Sequence, residues 1–283
     1  MPKVAILGTG LMGTAAAYRL SSMGYSIILW NRTRDRAERL AREIKARAAK
    51  DLASAIGEVD YAISFLLDDD AFLSVVSRMP RADGLILVNS STITPMASKA
   101  AWARLQGLGI CYVEAPVIGN PSRLRNGEAF AITAGEEHCI RRSMPLLRDL
   151  FKHTIHAGDI GAGMALKLSY NLLHMGSILL LAESRMLAES YGVEDEVFRE
   201  LIENTVFRKL SERYLDRVKG GGALSARLEV AAKDLTYASI AGWDKRLPLP
   251  LTGTASQVYR LALSAGCGDI DYARTIDILR MCR

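Results

Sequence analysis

Apolar residues fall into two regimes along this chain, and the regimes meet near residue 160. Before that point, short apolar runs alternate with longer mixed segments. Residues 4–7, 26–30, 61–67 and 85–88 are runs of four to seven residues, partly β-branched, and each is closed by Gly, Asn or Asp. Runs of that length between turn residues predict strands buried on both faces, the mark of a parallel sheet. The segments between them, such as residues 14–20 and 34–40, predict helices, so the first half predicts a doubly wound α/β arrangement. From Gly161 onward strand signals vanish. Residues 172–191, 194–204, 226–241 and 250–264 predict helices, with Gly192 and Gly220 to Gly222 as stops or turns. The expected organisation is an α/β domain over residues 1–160 and an all-α domain over residues 161–283.

Composition narrows the class. A chain of 283 residues, 49% hydrophobic and 24% charged, has the balance of a globular protein with a large core. The net charge of +5 is spread along the chain without a basic stripe, which argues against nucleic acid and suits an anionic ligand. Residues 172–187 fall short of the about 20 apolar residues needed to span a bilayer, and residues 4–7 are too short for a signal segment, so no membrane role is expected. Cys111, Cys139, Cys267 and Cys282 lack metal-site spacing. Neither zinc nor a disulfide is expected, and a reducing cytoplasm is the default. His138, His153, His156 and His174 form no catalytic pattern in the sequence.

Chemistry enters first at Gly8-Thr9-Gly10-Leu11-Met12-Gly13, a GxGxxG placed after a predicted strand and before a predicted helix. In that setting Gly8 permits the tight turn, Gly10 lets backbone approach a pyrophosphate, and Gly13 lets helix pack on strand; the helix N-terminus offers N–H donors to phosphate. The first domain is therefore expected to be Rossmann-type. At the end of the second strand, where NAD-binding units carry an acid for the ribose, this chain has Asn31-Arg32-Thr33. A guanidinium there grips a 2′-phosphate that a carboxylate would repel, so NADP(H) is expected over NAD(H). Asp68 to Asp70 have the look of metal ligands but are expected to cap a helix, and no metal is expected. Ser90, Ser91 and Thr92 are either ligand contacts or turn residues.

In the second half, Lys167 and Asn171 stand four residues apart in an apolar run and so share one face of a helix. They converge on a site, unless Lys167 merely snorkels to solvent. Taken with Asn89-Ser-Ser-Thr-Ile-Thr-Pro95, Glu114-Ala-Pro-Val-Ile-Gly119, Gly161-Ala-Gly163 and Lys233-Asp-Leu235, these motifs make the chain resemble the β-hydroxyacid dehydrogenases, from residue 3 to about residue 280. That family includes 3-hydroxyisobutyrate dehydrogenases and glyoxylate/succinic semialdehyde reductases. The resemblance implies a long interdomain helix and an all-helical C-terminal domain that completes a homodimer. It implies Lys167 as acid/base and Asn171 as its substrate-holding partner. Ser91 and the backbone of Gly119 and Asn120 would hold a substrate carboxylate, Leu66, Leu67 and Thr92 would lie along the nicotinamide half, and Lys233 would reach the cofactor.

The chain departs from the family pattern at Ile118, Asn120 and Tyr170, all beside the implied substrate. Ile118 should make the pocket narrower and more apolar, while Asn120, in place of Gly, tolerates left-handed backbone. The residues before Lys233, from Gly220 to Arg227, lack the aromatics often found there. The expected function is an NADP(H)-dependent oxidoreductase moving hydride between nicotinamide and a small carboxylate-bearing semialdehyde or 2-oxo acid, in the reductive direction. Lys167 protonates the oxygen, its pKa lowered by apolar, cation-lined surroundings. Hydroxyacid oxidation or imine reduction on the same fold, and a non-catalytic NADPH-sensing module, are the alternatives.

Overall fold

Alternate residues of strand β1 (Lys3–Leu7) feed two different cores: Val4 and Ile6 one, Ala5 and Leu7 the other. A strand apolar at every position is buried on both faces, and helices must cover both. One face is covered by α1 (Leu11–Ser22), α2 (Arg34–Ile44), α6 (Pro121–Arg125) and α7 (Glu137–Leu150). The other is covered by α3 (Leu52–Ile56), α4 (Asp69–Ser77), α5 (Pro95–Gln106) and the start of α8 (Ala162–Ser190). The computed structural model describes residues 2–221 and 224–280 and divides into two compact units, Met1–Lys167 and Leu168–Arg283.

The sheet of the first unit contains β2 (Ser26–Trp30), β3 (Arg47–Ala48), β4 (Tyr61–Ser64), β5 (Ile86–Asn89), β6 (Cys111–Glu114), β7 (Val117–Ile118), β8 (Phe130–Gly135) and β9 (His153–Gly158). Its order is β3-β2-β1-β4-β5-β6-β8-β7, with β9 paired to β8. Pairs from β3 through β6 are parallel, whereas β8 runs antiparallel to β6 and β7. The chain order reverses between β1 and β4, and the loops after β1, β2, β4 and β5 all leave the same edge, where a doubly wound sheet takes its ligand. The run at 61–67 stops as a strand at Ser64 because the Leu66 N–H leaves the ladder and donates to Ser91 Oγ. As expected, Asp68 caps α4, accepting from the Ala71 N–H at 2.8 Å.

Helix α8 runs through both units. With α9 (Asp195–Glu203), α10 (Arg208–Val218), α11 (Leu228–Asp244), α12 (Pro250–Ser264) and α13 (Thr275–Arg280) it builds the all-helical second unit. Its core includes Ile178 and Ala182 of α8, Leu215 of α10, Leu228 and Leu235 of α11, and Tyr259 of α12. Gly192 and Gly220 take positive φ at the ends of α8 and α10, as helix stops require, while Gly222 lies outside the described residues.

Three expectations are corrected. Helix α8, at 29 residues with an 18-residue window of mean hydropathy 1.3, is long and apolar enough to cross a membrane by length and composition. The apolar segment 172–187 is only part of this helix, which begins ten residues earlier. The helix nonetheless places Met175, Ile178 and Leu181 in the second unit's core and pairs buried Arg185 with Asp195, as a core helix does. Second, Cys111 and Cys139 form a disulfide, Cα to Cα 5.5 Å, because the first turn of α7 packs against the start of β6. Third, Asn120 is not left-handed. It is extended (φ −118°) as the N-cap of α6, and Gly119 carries the positive φ of 152°.

Candidate active site

The glycine loop has a separate physical reason for each glycine. At Gly8 (φ 102°) a Cβ would stand 2.3 Å from the Phe65 carbonyl oxygen, and at Gly13 1.9 Å from that of Gly8. Both are packing requirements: β4 crowds the first and the β1–α1 turn the second. At Gly10, a Cβ would meet nothing within 4 Å. Gly10 is the N-cap of α1, with no side chain capping the helix, so the Leu11, Met12 and Gly13 end presents open space to a ligand. Thr9 Oγ1 and Ser90 Oγ, at the ends of β1 and β5, are buried without a hydrogen-bond partner among the described residues. A cradle open at its middle glycine, flanked by two buried hydroxyls with bonding capacity to spare, fits a dinucleotide phosphate.

The loop after β2 is tied to this cradle. Asn31 Oδ1 accepts from the Thr9 N–H at 3.2 Å and its Nδ2 donates to the Thr33 carbonyl at 2.9 Å. Both polar ends of the amide are engaged, so Asn31 acts by shaping the loop. Arg32 and Thr33 are exposed, and Arg34 is paired with Glu38. Among the described residues no ion pair engages Arg32, which leaves its guanidinium available to a phosphate.

A buried polar chain links the strand ends to α8. Ser64 Oγ donates to Asn89 Oδ1 (2.9 Å), Asn89 Nδ2 donates to Tyr112 Oη (3.1 Å), and Tyr112 and Ser98 share a 2.8 Å hydrogen bond. Ser98 Oγ then donates to Glu114 Oε1. Glu114, fully buried, also accepts from the N–H groups of Gly161 (2.7 Å), Met164 (3.1 Å) and Gly163. It thereby caps the start of the helix that carries Lys167. Burial pushes the Glu114 carboxyl above the ordinary range, although these donors pull it back. A Cβ on Gly163 would stand 2.7 Å from Glu114 Oε2, so the clamp also explains that glycine.

Ser91 and Leu66 belong to the same edge. Ser91 Oγ accepts the Leu66 N–H at 2.8 Å, and its own N–H donates to Asn89 Oδ1 at 3.0 Å. The hydroxyl expected to hold a carboxylate thus also fastens the β4 loop to the β5 loop. Leu67 is exposed, and Thr92, next to Ser91 in the chain, is half-buried. Ile118 pairs with Phe130 between β7 and β8, and Asn120 Oδ1 accepts from the Arg123 N–H, so that amide oxygen serves as a helix cap.

On α8, Lys167 is 9% exposed and Asn171 4%, one helical turn apart. In the second unit, Asn171 Nδ2 donates to Asp234 Oδ2 at 2.7 Å, and Lys233 Nζ lies 3.0 Å from Asp234 Oδ1. Asp234 therefore brings Asn171 and Lys233 together, a role the sequence reading missed although the residue stands inside the quoted Lys233-Asp-Leu235 stretch. Tyr170, partly exposed, stacks on His174, whose Nε2 lies 2.8 Å from Tyr272 Oη and 3.0 Å from Tyr214 Oη. His174 is thus the centre of an aromatic cluster.

Comparison with known proteins places the family and the fold. Residues 3–158 match the NAD binding domain of 6-phosphogluconate dehydrogenase, and residues 161–279 match the NAD-binding region of NADP-dependent 3-hydroxyisobutyrate dehydrogenase. The chain is 26% identical to glyoxylate/succinic semialdehyde reductase 1 of Arabidopsis thaliana over 99% of both chains. It is 25% identical to mitochondrial 3-hydroxyisobutyrate dehydrogenase of Bos taurus, covering 98% of this chain and 86% of the other. In fold it matches a Mycobacterium tuberculosis 3-hydroxyisobutyrate dehydrogenase solved with L-serine, at a TM-score of 0.86 and 22% identity over 99% of each chain.

Proposed function

The chain belongs to the β-hydroxyacid dehydrogenase family, and on that premise we propose that it is an NADPH-dependent reductase of small semialdehydes or 2-oxo acids bearing a carboxylate. Membership makes it an oxidoreductase with a nicotinamide cofactor. The phosphate preference rests on Asn31-Arg32 at the end of β2, where no acid stands to repel a 2′-phosphate. The substrate class rests on the relatives, whose names cite glyoxylate, succinic semialdehyde and 3-hydroxyisobutyrate.

When bound, the nicotinamide supplies hydride to the carbonyl carbon. The Leu11–Gly13 end of α1, with Thr9, holds the phosphates, Arg32 holds the 2′-phosphate, and Leu66, Leu67 and Thr92 bound the nicotinamide half. Lys167 gives a proton to the oxygen on which negative charge grows, a step in which general acid help is typically worth about 10²–10⁴ in rate. Asn171, fixed by Asp234, holds the same oxygen against Lys167 with its remaining hydrogen-bonding capacity. Ser91 and the backbone at Gly119 and Asn120 take the carboxylate, with Ile118 and Tyr170 setting its neighbourhood. Lys233, ion-paired with Asp234, is the residue of α11 that the family resemblance gives to the cofactor. The observation that carries the proposal is the burial of Lys167 one turn before Asn171 on a single helix.

The exposed stripe Leu173, Leu180 and Leu187 on α8 supports self-association as a homodimer, which sedimentation of Leu180→Glu against the parent tests. The activity is tested by following NADPH and NADH oxidation with glyoxylate, succinic semialdehyde and a cyclic imine. The expected result is turnover of the acids with NADPH favoured. Turnover of the imine alone, or equal use of NADH, would overturn the proposal.

A further inference from the structure

At the start of β6, on the sheet edge opposite the glycine loop, Cys111, His138 and Cys139 bring two sulfurs and an imidazole nitrogen within 4.8 Å of one another. We propose that this trio, once its disulfide is reduced, is a binding site for a thiophilic divalent cation of the zinc type, with the fourth position left to water. Residues 111 and 139 lie 28 apart in sequence and are joined only because the first turn of α7 packs on β6.

The geometry carries the assignment. His138 Nε2 lies 3.5 Å from Cys111 Sγ and 3.2 Å from Cys139 Sγ. With metal–sulfur bonds of about 2.3 Å and metal–nitrogen bonds of about 2.0–2.1 Å, a tetrahedral centre separates a sulfur and a nitrogen ligand by about 3.5 Å. The two sulfur–nitrogen edges of a zinc tetrahedron are therefore already in place, and only the sulfur–sulfur edge has to open. Glu136 Oε2 stands 3.8 Å from Cys139 Sγ, and its Oε1 accepts from Gln106 Nε2 at 3.1 Å, so this carboxylate lies beside the trio without belonging to it.

The surroundings suit paired thiolates. Arg142 places one guanidinium nitrogen 3.4 Å from Cys111 Sγ and donates another to the Gly84 carbonyl at 2.7 Å, and the N-terminus of α7 lies at Cys139. Both supply positive potential to offset two metal-bound thiolates. Cys139 is fully buried while His138 is exposed, so a cation enters past the imidazole.

A dithiol reductant breaks the Cys111–Cys139 bond by exchange and is itself oxidised to a disulfide, leaving two thiols on the protein. Zinc then binds both sulfurs and displaces their two protons to solvent. Oxidation and metal are mutually exclusive, so the site holds either a disulfide or a cation.

The test uses the full chain, reduced with a dithiol, desalted without oxygen, and titrated with Zn2+ and with Co2+. The proposal expects one metal per chain, two thiols lost to a thiol reagent when zinc is present, and thiolate-to-cobalt charge-transfer absorption. It also expects no metal on the oxidised chain. His138→Ala, a change at an exposed position, should weaken binding by about tenfold or more, and Cys111→Ser with Cys139→Ser should abolish it. The proposal is overturned if the reduced chain keeps both thiols titratable with zinc present, or if His138→Ala binds as tightly as the parent.

Discussion

Replacing the glycines of the β1–α1 loop one at a time separates binding from folding, because the structure gives Gly10 and Gly13 opposite reasons to be glycine. A Cβ at position 13 would stand 1.9 Å from the Gly8 carbonyl oxygen, where real contacts essentially never fall below 3.0 Å. Backbone would have to move by about an ångström in the most tightly packed turn of the first unit. Overpacking of that kind costs about 1–3 kcal/mol, which at about 2–4 °C per kcal/mol lowers the apparent Tm of Gly13→Ala by about 2–12 °C. At position 10 the backbone is extended (φ −73°, ψ −171°), Ala fits it, and the Cβ points into space clear to 4 Å. Only the modest N-cap advantage of Gly is lost there, up to about 1 kcal/mol. If that open space takes the pyrophosphate, as proposed, the same Cβ lowers NADPH affinity by about tenfold or more, or at least about 1.4 kcal/mol. Thermal melts and quenching of NADPH fluorescence read the two quantities independently. If Gly10→Ala binds NADPH like the parent, or melts as low as Gly13→Ala, the assignment of that space to phosphate is wrong.

Other consequences follow from the neighbouring side chains. Arg32→Asp should shift the ratio of kcat/KM for NADPH over NADH toward NADH by about tenfold or more, since charge-assisted hydrogen bonds are worth about 1.5–3 kcal/mol; an unchanged ratio would remove Arg32 from the cofactor site. Glu114 has a raised carboxyl pKa in the fold, so the stability it contributes is complete below the unfolded value of about 4.3 and is lost as pH rises through the folded value. Denaturation midpoints of the parent should accordingly fall with rising pH relative to Glu114→Gln, and parallel pH profiles would contradict this. Asp234→Ala leaves the Asn171 amide without its buried acceptor, at about 1–3 kcal/mol of stability, and should lower kcat more than it changes KM for NADPH. Retention of the parent kcat would show that Asn171 needs no such support.

The elements that carry the cofactor were legible in the sequence because their requirements are local. Strand, glycine turn and helix follow within twenty residues, and the i, i+4 spacing of Lys167 and Asn171 needs only helical periodicity. What could not be read depends on register between distant segments. The relay from Ser64 through Asn89, Tyr112 and Ser98 to Glu114 exists because β4, β5 and β6 align Ser64 with Asn89 and Asn89 with Glu114. No spacing along the chain encodes that alignment. Likewise Cys111 and Cys139 meet through the antiparallel return of β8 into α7, a turn the apolar pattern did not predict. Asn120 was misread for the opposite reason: its residue type permits left-handed backbone, but the Pro121 that follows favours a helix start, and capping won.

The central claim is that Lys167 supplies the proton in an NADPH-dependent reduction. Its most direct measure is a paired determination on Lys167→Ala, with NADPH affinity from fluorescence titration and turnover of succinic semialdehyde from NADPH absorbance. The account predicts an unchanged NADPH affinity with turnover lowered by about 10²–10⁴. A variant that binds NADPH and turns over at the parent rate would contradict it.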